Sequence, residues 1–185
     1  DGTFVSDFVY DHHRILKIPY SSNSGLPTAH GQGETLAIFL KDKKCSKLGL
    51  VLRYTVFARQ DVLARSMLVK NGSEDTVVLR DAQTAVRLPA DRYEILHLKG
   101  GWARERHAKR VSMPEGNFAV KSRRGASGHE NNPFIALVHP ETGENCGDVY
   151  AMTHVYSGSF SASVDVGIDR APYMMMGLCS DVFSW

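Results

Sequence analysis

The fold class of this chain is decided by the stretch Phe160–Ser–Ala–Ser–Val–Asp–Val–Gly–Ile168. Every second residue from Phe160 to Ile168 is apolar, and the residues between them are polar or small. A period of two is the pattern of a β-strand that buries one face. In Leu50–Val56, positions 50, 52, 54 and 56 form one apolar face, while Arg53 and Thr55 point away from it. Further strand candidates are Thr3–Tyr10, Glu34–Leu40, Tyr93–Leu98, Ala119–Arg124 and Pro133–Val138.

Turn residues between these segments predict how neighbouring strands connect. Ser157–Gly158 follows the alternating stretch Tyr150–Tyr156 and predicts a hairpin with the strand that begins at Phe160. The segment 71–75 predicts a second hairpin, between Val62–Lys70 and Thr76–Val86. No window shows a sustained helical stripe. We therefore predict one all-β domain over residues 1–185, with about a dozen strands in two packed, mainly antiparallel sheets. A closed barrel is the alternative.

Composition excludes several classes of function. The 185 residues are 43% hydrophobic and 23% charged, as in an ordinary globular protein, and the net charge of +2 is too small to predict nucleic-acid binding. No apolar run approaches the ~18 residues that span a membrane. Three cysteines without a C-x-x-C spacing favour a reducing, cytoplasmic compartment. Because the chain begins at Asp1 and ends at Phe183–Trp185, we expect it to be a piece of a longer protein.

Catalytic and metal-binding patterns are absent from the sequence. The serines lie in no G-x-S-x-G motif, and no pair of the twenty acidic residues is marked as a glycosidase pair. The neighbours His12 and His13 point to opposite sides of a strand, and the other histidines have no ligand spacing. We therefore predict no catalytic residue, no metal and no cofactor in this chain.

The segment with the strongest functional signal is Leu98–His107. It carries Trp102 behind two glycines, followed by Arg104, Glu105, Arg106 and His107. Paired glycines let the backbone turn tightly, so the turn can present a large flat ring at a surface. That ring can stack on a sugar face while nearby charged groups bind hydroxyls. The alternative is a tryptophan buried between the sheets.

A second dense segment covers residues 123–134. It contains two arginines, small residues, then a histidine and asparagines before Pro133. Pro133 suits the start of a strand because proline donates no ladder hydrogen bond. The composition favours a loop held by its own polar contacts over direct ligand contact.

Several collinear segments together resemble the amino-terminal domain of glycoside hydrolase family 36 α-galactosidases. The matching segments are Ser6–Tyr10, His13–Ile15, Gly25–Ala29, Glu34–Leu36, Leu52–Phe57, Asp61–Ser66, Trp102–His107, Ser122–Ser127, Asn132–Phe134, Gly147–Tyr150, Val155–Phe160 and Phe183–Trp185. They cover nearly the whole chain. The sequence departs from the family pattern at Gly101, Gly128 and the segment 177–182.

The resemblance implies a β-supersandwich that precedes a catalytic (β/α)8 barrel. It implies a retaining hydrolase of terminal α-galactosides of the melibiose and raffinose type, with both catalytic aspartates on the barrel. It further implies that the sandwich packs on the barrel, supports a homo-oligomer and lends Trp102 to one wall of the galactose pocket. Two other interpretations stay open, a stand-alone carbohydrate-binding module and a purely structural oligomerisation domain.

Overall fold

The computed structural model describes residues 6–21 and 26–184. Its strands are β1 (Phe8–Leu16), β2 (Glu34–Asp42), β3 (Leu48–Phe57), β4 (Val62–Asn71), β5 (Val78–Arg87), β6 (Glu94–Gly101), β7 (Arg104–Ser112), β8 (Gly116–Ser122), β9 (Asn131–Val138), β10 (Val149–Thr153), β11 (Phe160–Val166) and β12 (Pro172–Ser184). The first residues of the predicted strand Thr3–Tyr10, the segment 22–25 and Trp185 lie outside the described residues. Among the described residues, no helix has the length and hydropathy needed to span a bilayer.

Contacts divide the chain into two compact units, residues 1–79 with 183–185 and residues 80–182. The prediction of one domain over 1–185 stays a prediction. The first unit contains a four-stranded antiparallel sheet in the order β1-β2-β3-β4. Its strands follow one another along the chain, so each pairs with its sequence neighbour.

One face of this sheet is buried. Ala37, Val51 and Phe57 lie on it, together with Thr35 and Thr55, whose hydroxyls are 2.9 Å apart. The hydroxyl of Thr35 also donates to the Ile18 carbonyl at 2.9 Å, so both buried threonines have partners. The alternation predicted for Leu50–Val56 is present. However, the buried side is the one that carries Thr55, whereas none of Leu50, Leu52, Tyr54 and Val56 is buried.

The second unit contains two four-stranded sheets, in the orders β10-β9-β6-β7 and β5-β12-β11-β8. Side chains from both sheets form one hydrophobic core: Tyr93, Ile95, Val120, Ile135, Leu137, Phe160, Ala162, Val164, Val166, Met174 and Met176. The inward positions of β11 are the apolar positions that the alternation predicted. The all-β, antiparallel sandwich class is therefore confirmed, with a third sheet in the first unit.

Both predicted hairpins are wrong. β10 pairs with β9, and β11 pairs with β8 and β12, so Ser157–Gly158 connects two different sheets. Likewise β4 pairs with β3, and β5 belongs to the sheet that contains β12. A short turn-forming segment does not specify a hairpin when the flanking strands find better partners elsewhere.

Two strands were not predicted, β7 and β12, and three predicted strands run past their observed ends, which are Ser122 for β8, Thr153 for β10 and Val166 for β11. β11 ends at Val166, so Ile168 is fully exposed in the turn that follows. That turn closes through the Arg170 amide, which donates to the Gly167 carbonyl at 3.0 Å, and Arg170 has a left-handed φ of 57°. β7 was not predicted because its residues are almost all charged or polar and show no alternation of apolar and polar positions.

Candidate functional site at the Trp102 hairpin

Trp102 lies at the tip of the hairpin that joins β6 to β7. Gly101 pairs with Arg104, so Trp102 and Ala103 form a two-residue turn. The side chain of Trp102 is 85% exposed. The alternative of a tryptophan buried between the sheets is therefore wrong, and a flat aromatic face is open at this end of the second unit.

The backbone of this hairpin is strained. Ala103 has a φ of 59° and Arg106 a φ of 62°, in the left-handed region that side chains with a Cβ rarely adopt. The Ala103 amide donates to the Glu105 carboxylate at 3.1 Å, which helps to hold the turn. The register shifts between Lys99 and Gly101, so the strands bulge beside Arg106. Such strain persists where the surroundings enforce it, and it concentrates at functional sites.

Gly100 brings the two hairpin strands unusually close. A Cβ on Gly100 would overlap the carbonyl oxygen of Arg104, whereas a Cβ on Gly101 would meet no atom within 4 Å. The Gly100 amide donates to the Glu130 carbonyl at 3.2 Å. This bond joins the Trp102 hairpin to the second segment that the sequence singled out, so the two lie at the same end of the unit.

Residues 123–130 of the second segment form a loop held by its own polar contacts, as the sequence predicted, and residues 131–134 begin β9. Arg124 forms an ion pair with Glu130 at 3.0 Å, and the Ser122 hydroxyl donates to the Ala126 carbonyl at 2.5 Å. The Ser127 amide donates to the Ser157 carbonyl at 2.8 Å. Gly128 has a φ of 71°, so its lack of a side chain suits the backbone there.

Charged and polar side chains follow the exposed ring along the start of β7. Arg104, Glu105, Arg106 and His107 are all exposed, and β7 forms the edge of its sheet. An aromatic face beside guanidinium donors can stack on the C–H face of a sugar and donate to its hydroxyls. The nearby carboxylates are already engaged, Glu105 by the Ala103 amide and Glu130 by Arg124.

Histidines elsewhere do not form a metal site within the described part of the chain, where no group of three or more His, Cys, Asp or Glu residues could hold an ion. His12 and His13 point to opposite faces of β1, as predicted. His12 stacks on the Phe39 ring with centroids 4.2 Å apart, and its Nδ1 lies 2.7 Å from Asp11. On the other face, His13 Nδ1 lies 2.7 Å from the Tyr10 hydroxyl.

Two buried histidine nitrogens were not anticipated from the sequence. His97 lies inside the core of the second unit, and its Nδ1 has no hydrogen-bond partner in the structure. Burial, with Lys99 and Lys109 nearby, lowers the pKa of His97 below its ordinary value. Burial also lowers the pKa of His154, whose Nε2 lacks a partner as well. A histidine at an inward position of an alternating strand is the one signal that could have identified His97.

Comparison with known proteins gives consistent results. Residues 1–185 match the family described as glycosyl hydrolase family 36 N-terminal domain. α-Galactosidase AgaA of Geobacillus stearothermophilus is 38% identical over 190 residues, which cover 100% of this chain and 26% of that protein.

Solved structures agree with this match. The crystal structure of α-galactosidase AgaB from Geobacillus stearothermophilus superposes with a TM-score of 0.90 at 34% identity, over 100% of this chain and 27% of that one. A variant of AgaA in complex with raffinose gives the same TM-score, identity and coverage. The chain thus spans about a quarter of the length of these relatives.

Proposed function

The chain belongs to the family of glycosyl hydrolase family 36 N-terminal domains, and from this premise we propose that it is the non-catalytic sandwich of an α-galactosidase. The match over residues 1–185, together with α-galactosidases as relatives over the full chain, carries this proposal. The exposed free thiols of Cys45 and Cys146 support the further proposal of a cytoplasmic protein.

The parent protein would hydrolyse terminal α-galactosides of the raffinose type with retention of configuration. A retaining glycosidase needs two carboxyl groups about 5–5.5 Å apart, one as nucleophile and one as acid and base. We assign that pair to a barrel outside this chain. In support, both carboxylates near the Trp102 hairpin are engaged in hydrogen bonds that hold their own loops.

Within that enzyme, Trp102 would form one wall of the galactose pocket. Its exposure leaves the ring free to stack on a sugar, and the strained turn beneath it restricts where the ring can lie. A wall of this kind contributes by burying the apolar face of the sugar ring and by excluding water. The domain would also pack on the barrel and support an oligomer.

The exposure of Trp102 also favours a second candidate, a stand-alone carbohydrate-binding module. In that case the ring and its neighbouring guanidinium groups bind the sugar without a barrel. The two candidates differ in one measurable property, the affinity of the isolated 185-residue chain for a galactoside.

Tryptophan fluorescence titrated with melibiose separates the two candidates. The chain has two tryptophans, so a Trp185→Phe variant reports on Trp102 alone. A barrel-dependent wall predicts no saturable change up to tens of millimolar sugar. A saturable change that Trp102→Ala abolishes would establish the module instead.

Hydrolysis provides the second test. Incubated with a chromogenic α-galactoside, the isolated chain should give no turnover, because the reacting carboxyl groups lie elsewhere in the parent protein. Turnover at a rate near that of a full-length α-galactosidase would overturn the assignment as a non-catalytic domain.

A further inference from the structure

The second unit carries an open pocket between the end of β5 and the turn that follows β11. Its volume is about 360 Å³. Because small-molecule sites have volumes of about 300–1,000 Å³, the pocket has room for one small ligand. Its lining residues are Arg87, Leu88, Pro89, Ala90, Asp169 and Ala171.

The charges in this pocket balance one another. Arg87 Nη2 donates to Asp169 Oδ2 at 2.6 Å, and Asp169 Oδ1 accepts from the Ala171 amide at 3.2 Å. The Arg87 guanidinium, followed by the Ala171 amide, holds the pKa of Asp169 below its usual value, so the carboxyl group is ionised at neutral pH. A ligand with a net charge of either sign would meet one attractive and one repulsive group, whereas a neutral polar ligand meets no repulsion.

The ion pair has hydrogen-bonding capacity left for a ligand. A guanidinium group carries five N–H groups and a carboxylate about four acceptor positions, so one bond between them uses a small part of that capacity. The side chains of Arg87 and Asp169 are 55% and 51% exposed, so a ligand can reach both. A ligand with hydroxyl groups matches this pair, because each hydroxyl can donate to the carboxylate or accept from the guanidinium.

The rest of the pocket lining is apolar. Leu88, Pro89, Ala90 and Ala171 contribute side chains without polar atoms. A pyranose ring combines hydroxyl groups at its rim with an apolar C–H face, so it can contact the apolar lining and the ion pair at once. An apolar lining with a few placed polar groups is the usual composition of a small-molecule site.

Contacts within the protein hold the pocket in shape before a ligand binds. The Leu88 amide donates to the Pro172 carbonyl at 3.0 Å, which joins the end of β5 to the start of β12. The Arg87 guanidinium lies 5.5 Å from the centre of the Tyr173 ring, and this contact restricts the direction of the guanidinium. A preformed site loses less conformational entropy on binding than a site that must first become ordered.

We propose that this pocket binds a neutral sugar, and that in the proposed α-galactosidase this sugar is a galactoside of the raffinose type. The galactoside rests on the proposed function, whereas the neutral sugar rests on the pocket alone. The pocket is separate from the Trp102 hairpin, because residues 87–90 precede β6 and Trp102 follows it. The eight residues of β6 span about 27 Å.

Two-dimensional proton–nitrogen NMR on the 185-residue chain tests the proposal, with raffinose as the probe. The sugar should shift the Ala171 amide and the Arg87 Nε–H signals in a saturable way at millimolar concentration. Arg87→Met removes the guanidinium donors and should raise the concentration at half-saturation about tenfold or more. Ala90→Leu fills part of the pocket from an exposed position, leaves the ion pair in place and should have the same effect.

Lys43→Met is the matched control. It also removes a cation from an exposed ion pair, the one with Asp7 at 3.2 Å in the first unit, and it should bind raffinose as the unchanged chain does. No saturable shift up to about 100 mM raffinose would overturn the proposal. Folded Arg87→Met and Ala90→Leu variants that bind normally, or a control that loses binding, would overturn it as well.

Two further probes identify what the pocket takes. Saturable shifts with inorganic phosphate and none with raffinose would show an anion site and overturn the proposal. A response to glucose without a response to raffinose would keep the neutral-sugar site and discard the galactoside. The fluorescence of Trp102 reports on the proposed function separately, because Trp102 is not among the lining residues of the pocket.

Discussion

Replacing Gly100 by alanine tests the backbone geometry that presents Trp102. A Cβ at position 100 would overlap the Arg104 carbonyl oxygen and lie 2.7 Å from the Glu105 Cα, and both are backbone atoms. The strands must therefore separate, which we expect to lower the free energy of unfolding by about 1–3 kcal/mol, as overpacking typically does. Urea denaturation followed by circular dichroism measures this change.

Gly101 provides the matched control for this prediction. A Cβ at Gly101 would meet no atom within 4 Å, and its φ is not in the left-handed region. Gly101→Ala should leave stability unchanged or raise it by about 0.4–1 kcal/mol, because alanine restricts the unfolded chain. If Gly101→Ala were as destabilising as Gly100→Ala, the described approach of the two strands would be incorrect.

Three further changes test other parts of the account. His97 has a lowered pKa, so the unfolded chain binds its proton more readily and the free energy of unfolding should fall as the pH drops below about 6.5. In a series of thermal melts, His97→Phe should reduce this loss and leave the part that comes from His154, whose pKa is lowered as well. Arg110→Met removes hydrogen bonds to the Glu94 carboxylate and to three carbonyls of residues 139–142, and urea denaturation should show a free energy of unfolding lower by about 1 kcal/mol. Arg124→Met removes a more exposed ion pair and should lower it by less than about 0.5 kcal/mol. Phe160→Ala leaves a cavity in the core of the second unit and should lower the free energy of unfolding by about 3–5 kcal/mol. A smaller decrease would contradict the full burial of Phe160.

Alternation of apolar residues predicted most of the strands and the fold class. The prediction for the strand around Val164 was correct because its apolar positions face one core between two sheets. Connectivity was not predictable from the same signal, because a period of two describes one strand and not its partner. For this reason Ser157–Gly158 was interpreted as a hairpin although β10 and β11 belong to different sheets.

Prediction of the site was only partly possible from the sequence. The glycines indicated a turn that can present Trp102 at a surface but left burial between the sheets open, and the structure places the exposed ring at a hairpin tip. The bond from Gly100 to Glu130 joins residues far apart in sequence, so no local pattern indicated it. The partnerless nitrogen of His97 depends on what surrounds the strand, and only the folded chain shows those surroundings.

The proposed role of Trp102 is tested most directly by the kinetic constants of the full-length protein with raffinose, the type of substrate proposed for it. Because the ring is 85% exposed, Trp102→Ala should change the free energy of unfolding by less than about 0.5 kcal/mol. Loss of the stacking surface should nevertheless lower kcat/KM by roughly 10- to 100-fold, which corresponds to about 1–3 kcal/mol. An unchanged kcat/KM in a stable Trp102→Ala protein would contradict the account.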